Sequence, residues 1–160
     1  MELKTNVHAE DGKQDFVITR KFELPVELLF KAHIEPDIIE QWMSHEYGTT
    51  KVVKFEIKKH GSWQFQTTDA RGTIIFSANG VFHEIVPDRK ITRTFEMENS
   101  PFDVQLEFLE FEKLTAGSIQ LTMHSIFRSV ALRDQLLKLP FEQGLNMAHN
   151  RLQDIVSKLN

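Results

Sequence analysis

Phe141-Glu142-Gln143-Gly144-Leu145-Asn146-Met147-Ala148-His149-Asn150-Arg151-Leu152-Gln153-Asp154-Ile155-Val156-Ser157-Lys158-Leu159 is the stretch on which the fold turns. Phe141, Leu145, Ala148, Leu152, Ile155 and Leu159 recur at spacings of three and four, while Glu142, Gln143, Asn146, His149 and Gln153 take the other side. That is the pattern of a helix with one apolar stripe. Pro140 cannot sit inside a helix without cost but suits its first turn, so the helix is expected over Phe141–Leu159, separate from an earlier helical segment capped by Ser129.

A single apolar stripe needs a partner, and the middle of the chain supplies one. From Lys51 to Phe127 the hydrophobic period falls to two. Strands are expected at Val52–Ile57, Ser62–Thr68, Thr73–Val86, Lys90–Met97, Val104–Phe111 and Ser118–Phe127. Turn residues lie between them at Lys59-His60-Gly61, Asp69-Ala70-Arg71-Gly72, Pro87-Asp88-Arg89, Asn99-Ser100-Pro101 and Thr115-Ala116-Gly117. Links this short join antiparallel neighbours. Gly80, inside the longest run, marks a bulge or bend that lets the sheet curl.

Toward the N-terminus, Leu3–Ala9 and Asp15–Phe22 flank Asp11-Gly12 as a loose hairpin, with residues 1–14 read as an N-terminal strand or flexible arm. Leu24-Pro25 ends the second strand. Val26, Leu29, Phe30 and His33 then share one helical face, Glu35-Pro36 breaks that helix, and Pro36 opens another through Trp42. The expected class is α+β: two short helices after the first long strand, then a curved antiparallel sheet wrapped around the C-terminal helix. At 160 residues, with no shift in composition, the chain is read as one domain.

Composition narrows the function. Hydrophobic residues make up 41% and charged residues 26%, and the rings are 13 Phe against 2 Trp and 1 Tyr. Most aromatic surface therefore carries no polar atom to satisfy, which favours a strongly apolar interior. A net charge of −4 without a basic stripe argues against nucleic acid. No stretch approaches the roughly 20 apolar residues of a membrane span. Zero cysteines exclude thiolate chemistry and fit a reducing cytoplasm, where the protein is expected to reside.

Several strings, taken in order, resemble the family of homologues of the activator of heat-shock protein 90 ATPase, within the START/birch-pollen-allergen/polyketide-cyclase superfamily. They are Ile18-Thr19-Arg20-Lys21-Phe22-Glu23-Leu24-Pro25, Leu29-Phe30-Lys31-Ala32 and Glu35-Pro36 leading to Trp42, and then Gly80-Val81-Phe82-His83-Glu84-Ile85-Val86-Pro87 with Arg89, Ile91 and Thr94. Phe127, Ser129, Arg133-Asp134, Gly144 and Arg151-Leu152 complete the set. The resemblance, spanning Phe16 to Leu159, implies a helix-grip fold with a cavity between sheet and terminal helix. It also implies three activities to weigh: uptake of a lipid-like, aromatic or polyketide-like molecule, cyclase or aromatase chemistry, and contact with a chaperone. Leu139-Pro140 departs from the family's frequent Gly-Met and bears on the cavity rim.

The expected lining is Trp42, Trp63, Phe65, Phe76, Phe95, Phe108, Leu137, Phe141, Leu145 and Ala148. Ordinary core packing is the alternative for each. Trp42 is expected at the mouth with its indole N–H near water, and Gly144 against a strand. Arg20 and Glu84 are read as a pair across the sheet. His83 and His124 are the candidates to protonate a ligand carbonyl, solvent exposure being the alternative. The seven histidines are scattered singly, no Gly-x-Ser-x-Gly elbow or glycine-rich phosphate loop is present, and His45-Glu46 lacks a second ligating histidine. No metal, cofactor or catalytic residue is therefore assigned, and binding ranks above catalysis. The Phe102 and Phe111 region is the candidate for an exposed protein-docking patch.

Overall fold

The computed structural model describes residues 3–159. Along the chain the elements are β1 (Asn6–His8), β2 (Asp15–Phe22), α1 (Val26–Ile34), α2 (Pro36–Met43), β3 (Thr49–Phe55) and β4 (Ser62–Thr68). There follow β5 (Ile74–Val86), β6 (Lys90–Met97), β7 (Val104–Thr115), β8 (Ser118–Ile126), α3 (Val130–Leu137) and α4 (Phe141–Val156).

The eight strands form one antiparallel sheet in the order β1-β2-β8-β7-β6-β5-β4-β3. Strands β3 to β8 run as a meander, and β2 joins its far edge by pairing with β8 across Arg20 and Leu121. The α1–α2 pair carries the chain from one side of the sheet to the other. Glu35 separates the two helices with an extended backbone (φ −103°, ψ 115°), as a residue before proline prefers. Left-handed residues close the tight turns, Asp88 (φ 62°) between β5 and β6 and Asn99 (φ 57°) after β6.

Gly80 acts by allowing close approach. It stands opposite Trp63, and a Cβ there would lie 2.7 Å from the indole ring and collide with the Thr94 carbonyl. The register shift in this region falls later, between Phe82 and Glu84. Strand β7 runs four residues past the expected end at Phe111, because Glu112 to Thr115 continue the ladder with β8 while facing water. Burial cannot announce such an extension.

Helix α3 is capped as expected: the Ser129 hydroxyl oxygen accepts from the Leu132 amide at 3.1 Å. Helix α4 begins at Phe141 but ends at Val156, and Leu159 is 47% exposed. Its buried face is also rotated from the expected one. His149 and Val156 are buried with Leu152, while Phe141, Leu145, Ala148 and Ile155 are partly buried. No helix among the described residues is long and apolar enough to cross a membrane.

Candidate functional site

Between the concave face of the sheet and helices α2, α3 and α4 lies a cavity of about 400 Å³. Its size falls in the range of drug-sized ligand sites. Aromatic rings make much of the wall. Trp63 stacks on Phe65 (centroids 5.3 Å apart), Phe95 tilts against Trp63 at 5.6 Å, Phe76 continues the row from Phe65 at 5.9 Å, and Phe16 stacks on Phe141 at 5.2 Å. Strand alternation aims these side chains one way: Trp63 and Phe65 on β4, and Ile91, Phe95 and Met97 on β6. Leu145, Ala148 and Gly144 line the opposite side from α4.

One part of the wall is polar. Arg93, in phase with Phe95, donates from Nε to Glu107 Oε1 at 3.0 Å. Glu107 Oε2 accepts from Gln105 Nε2 at 2.8 Å and from the Ser125 hydroxyl at 3.5 Å. The guanidinium carbon stands 5.1 Å from the centre of the Trp63 ring. All four polar residues line the cavity. Two histidines join them. His33 Nδ1 lies 2.8 Å from the Leu29 carbonyl, and burial pushes its pKa down to about 4, helped by the charge on Arg93. A carbonyl only accepts, so neutral His33 carries its proton on Nδ1. His149 Nδ1 meets the Thr5 hydroxyl at 2.8 Å, and burial takes its pKa down to about 3, with His33 and Arg20 adding to the fall.

Of the residues expected at the site, Trp42, Trp63, Phe65, Phe76, Phe95, Phe141, Leu145 and Ala148 are placed around the cavity. Trp42 is 8% exposed and gives its indole N–H to the Ala32 carbonyl at 2.9 Å, so it does not reach water. Phe108 is on the other face of β7, beside His124. The run Gln105-Leu106-Glu107-Phe108-Leu109-Glu110-Phe111 carries apolar residues in both phases, and the sheet buries Gln105, Glu107, Leu109 and Phe111. Leu137 packs against the core, while its neighbour Leu136 takes the lining position.

Arg20 and Glu84 do not pair. Arg20 binds Asn146 Oδ1 (3.1 Å) and Asn150 Oδ1 (2.9 Å) of α4, and Glu84 meets Lys90 Nζ at 2.8 Å on the surface. His83 is exposed, and His124 bonds Asp15 Oδ2 at 2.7 Å in a half-exposed pair, so neither reaches the cavity. Nothing lies within 4 Å of a Cβ built on Gly144, which corrects the expected strand contact. Phe102 and Phe111 are each 6% exposed and form no surface patch.

Arg93, Glu107, Gln105, Ser125, His33 and His149 are the polar residues that sequence reasoning did not bring to the site. Three carried a signal. Arg93 alternates in phase with Ile91, Phe95 and Met97, His149 sits four residues after Leu145 and three before Leu152, and His33 shares the buried helical face of Val26, Leu29 and Phe30.

The model of the family described as "Activator of Hsp90 ATPase homolog 1-like protein" matches residues 23–157. No curated protein matches the sequence. Among solved structures, a Rhodobacter sphaeroides protein is similar at TM-score 0.87 and 16% identity, over 97% of this chain and 99% of that one. Protein Ms6760 of Mycobacterium smegmatis has TM-score 0.82 at 16% identity, covering 94% and 95%. A Staphylococcus epidermidis protein has TM-score 0.78 at 21% identity, covering 100% and 96%. At such identities the likeness is one of fold.

Proposed function

The chain belongs to the activator of Hsp90 ATPase homologue 1-like family, and from that premise we propose that it binds a hydrophobic small molecule, lipid-like, aromatic or polyketide-like, in the cytoplasm. The observation that carries this reading is the cavity of about 400 Å³ walled by Trp63, Phe65, Phe76 and Phe95. A ligand filling it would leave water for an apolar wall, a gain of roughly 25 cal/mol per Å² of apolar surface buried. Aromatic rings suit this task because they give large area at little cost in side-chain freedom.

A cyclase or aromatase reading draws on the same cavity. His33 favours it, since a neutral imidazole with Nδ1–H fixed by Leu29 leaves Nε2 as the basic nitrogen. A pKa of about 4 makes that nitrogen a weak base at neutral pH, and for this reason binding ranks first. A chaperone contact, which the family's description suggests, has less support, because Phe102 and Phe111 are buried.

The test is titration of isotope-labelled protein with fatty acids, flavonoids and aromatic polyketides, followed by NMR. Shifts confined to residues such as Trp63, Phe95, Leu145 and Ala148 are expected for at least one class. Ala148→Leu should weaken that ligand at least about tenfold while the melting transition survives, because the added carbons occupy ligand space. Shifts on the outer face of the sheet, or none with any class, would overturn the reading.

A further inference from the structure

The polar part of the cavity wall is chemically lopsided. Both carboxylate oxygens of Glu107 are engaged: Oε1 accepts from Arg93, and Oε2 accepts from Gln105 and, at 3.5 Å, from Ser125. Arg93 is engaged at one nitrogen only. Among the described residues its hydrogen bonds run through Nε alone, leaving the N–H groups on both terminal nitrogens without a protein partner. Its side chain is 15% exposed and that of Glu107 6%, and the guanidinium carbon stands 5.1 Å from the centre of the Trp63 ring. The group is tethered through Nε, with both terminal nitrogens left unused. A guanidinium so fixed loses little freedom when it bonds a ligand.

The charge balance then selects the partner. The titratable residues of the lining are Arg93, Glu107, His33 and His149. The first two cancel, and burial keeps both histidines neutral near pH 7. The wall thus offers hydrogen-bond donors without net positive charge. A buried ligand carboxylate would lose its hydration and meet the Glu107 charge beside the same arginine. A carbonyl oxygen would accept the same N–H groups at a far smaller desolvation cost and without setting a second full negative charge beside Glu107.

Resting on the binding function proposed above, we infer that the ligand is an uncharged, largely apolar molecule bearing a carbonyl-type acceptor, which docks on the unused edge of the Arg93 guanidinium. Arg93 is then the residue that discriminates a carbonyl compound from a hydrocarbon of the same shape.

Three probes on one diphenyl frame separate the terms: benzophenone, diphenylmethane and diphenylacetate. Calorimetric titration should show benzophenone binding roughly tenfold or more tighter than diphenylmethane, the gain from a hydrogen bond to a charged donor, with diphenylacetate the weakest. The carbonyl stretch of bound benzophenone should fall in frequency. Removing both members of the pair, in Arg93→Met with Glu107→Gln, should equalise ketone and hydrocarbon while diphenylmethane still binds. Arg93→Lys, which keeps the charge but loses the fork, should lose most of the preference and reads out the same effect if the double variant does not fold. Equal affinity of the wild-type protein for ketone and hydrocarbon, or survival of the preference without Arg93, would overturn the assignment while leaving hydrophobic binding intact. Tightest binding of diphenylacetate would overturn the uncharged ligand. Failure of all three probes to bind would count against the cavity as a binding site and thus against both readings.

Discussion

Arg20 on β2 and Arg93 on β6 are both largely buried, yet their surroundings use them differently. Arg20, 2% exposed, spends all three nitrogens: Nε on the Lys21 carbonyl, one terminal nitrogen on Thr5 and Asn146, the other on Asn150. Phe22 lies under it at 5.1 Å. None of these partners is a carboxylate, so the cation is held by carbonyl and hydroxyl oxygens and by a ring face. Arg93 has a carboxylate partner but engages it through Nε only. The number of nitrogens the protein engages, more than burial or charge pairing, is what separates a clamp between sheet and helix from a group available to something else. The Arg20 network joins β2 to α4, and the Arg93 network faces the space those elements enclose.

Acid should strain both regions, because each arginine has a buried histidine nearby. His149 shares Thr5 with Arg20, and His33 feels the charge of Arg93. Both folded-state values lie below the ordinary 6.5, so the unfolded chain takes up protons first as pH falls. The stabilising contribution is complete above about pH 6.5. It declines as acid is added, until His33 titrates in the folded state near 4 and His149 near 3. Each pH unit crossed costs up to about 1.4 kcal/mol per histidine, so two units outweigh a typical single substitution. Denaturant unfolding at pH 7, 6 and 5 checks this, and His33→Gln should leave only the His149 share of the slope. A profile flat from pH 7 to 5 would mean that neither histidine is held neutral by the fold.

Arg20→Ala is the next largest expected effect. It strips partners from Asn146, Asn150 and Thr5 at once and should cost about 3 kcal/mol by chemical denaturation, as for breaking a buried polar network. A loss below about 0.5 kcal/mol, ordinary for a surface position, would erase the distinction between the two arginines.

Much of this architecture was legible in the sequence. β4 and β6 occupy their expected spans, Pro36 and Pro140 mark helix starts, and Ser129 caps α3, because local backbone rules and period-two burial act on short stretches. The shared phase of Trp63 and Phe65 followed from the same alternation, and the cavity they face from the family resemblance. The cavity's polar part followed from neither. In β7 both phases carry apolar residues, and only the register with β6 and β8 decides that Glu107 turns inward while Phe108 turns out. The partners of Arg20 are hidden for a related reason: its acceptors stand on α4, about 130 residues away, and two asparagines on a helix give no local sign of their target. His149, a polar residue amid Asn146, Asn150 and Gln153, looks solvent-facing by type, yet its spacing from Leu145 and Leu152 belongs to the buried face, where the structure puts it.

The smallest effect tests whether α4 keeps its two tasks apart. Asn146 and Asn150 hold Arg20, whereas Gly144, Leu145 and Ala148 line the cavity. Gly144 lies inside the helix, and a Cβ there meets no atom within 4 Å. Gly144→Ala should therefore relieve the cost of a helical glycine without a clash, raising stability by about 0.5–1 kcal/mol. The methyl points into space that ligand can share, so affinity for an apolar probe should change by less than about threefold in either direction while the melting temperature rises. A lower melting temperature would show that the helix approaches the sheet more closely than this geometry allows. A higher one, with the effects of Arg20→Ala unchanged when the two substitutions are combined, would show the clamp and the cavity wall acting independently along one helix.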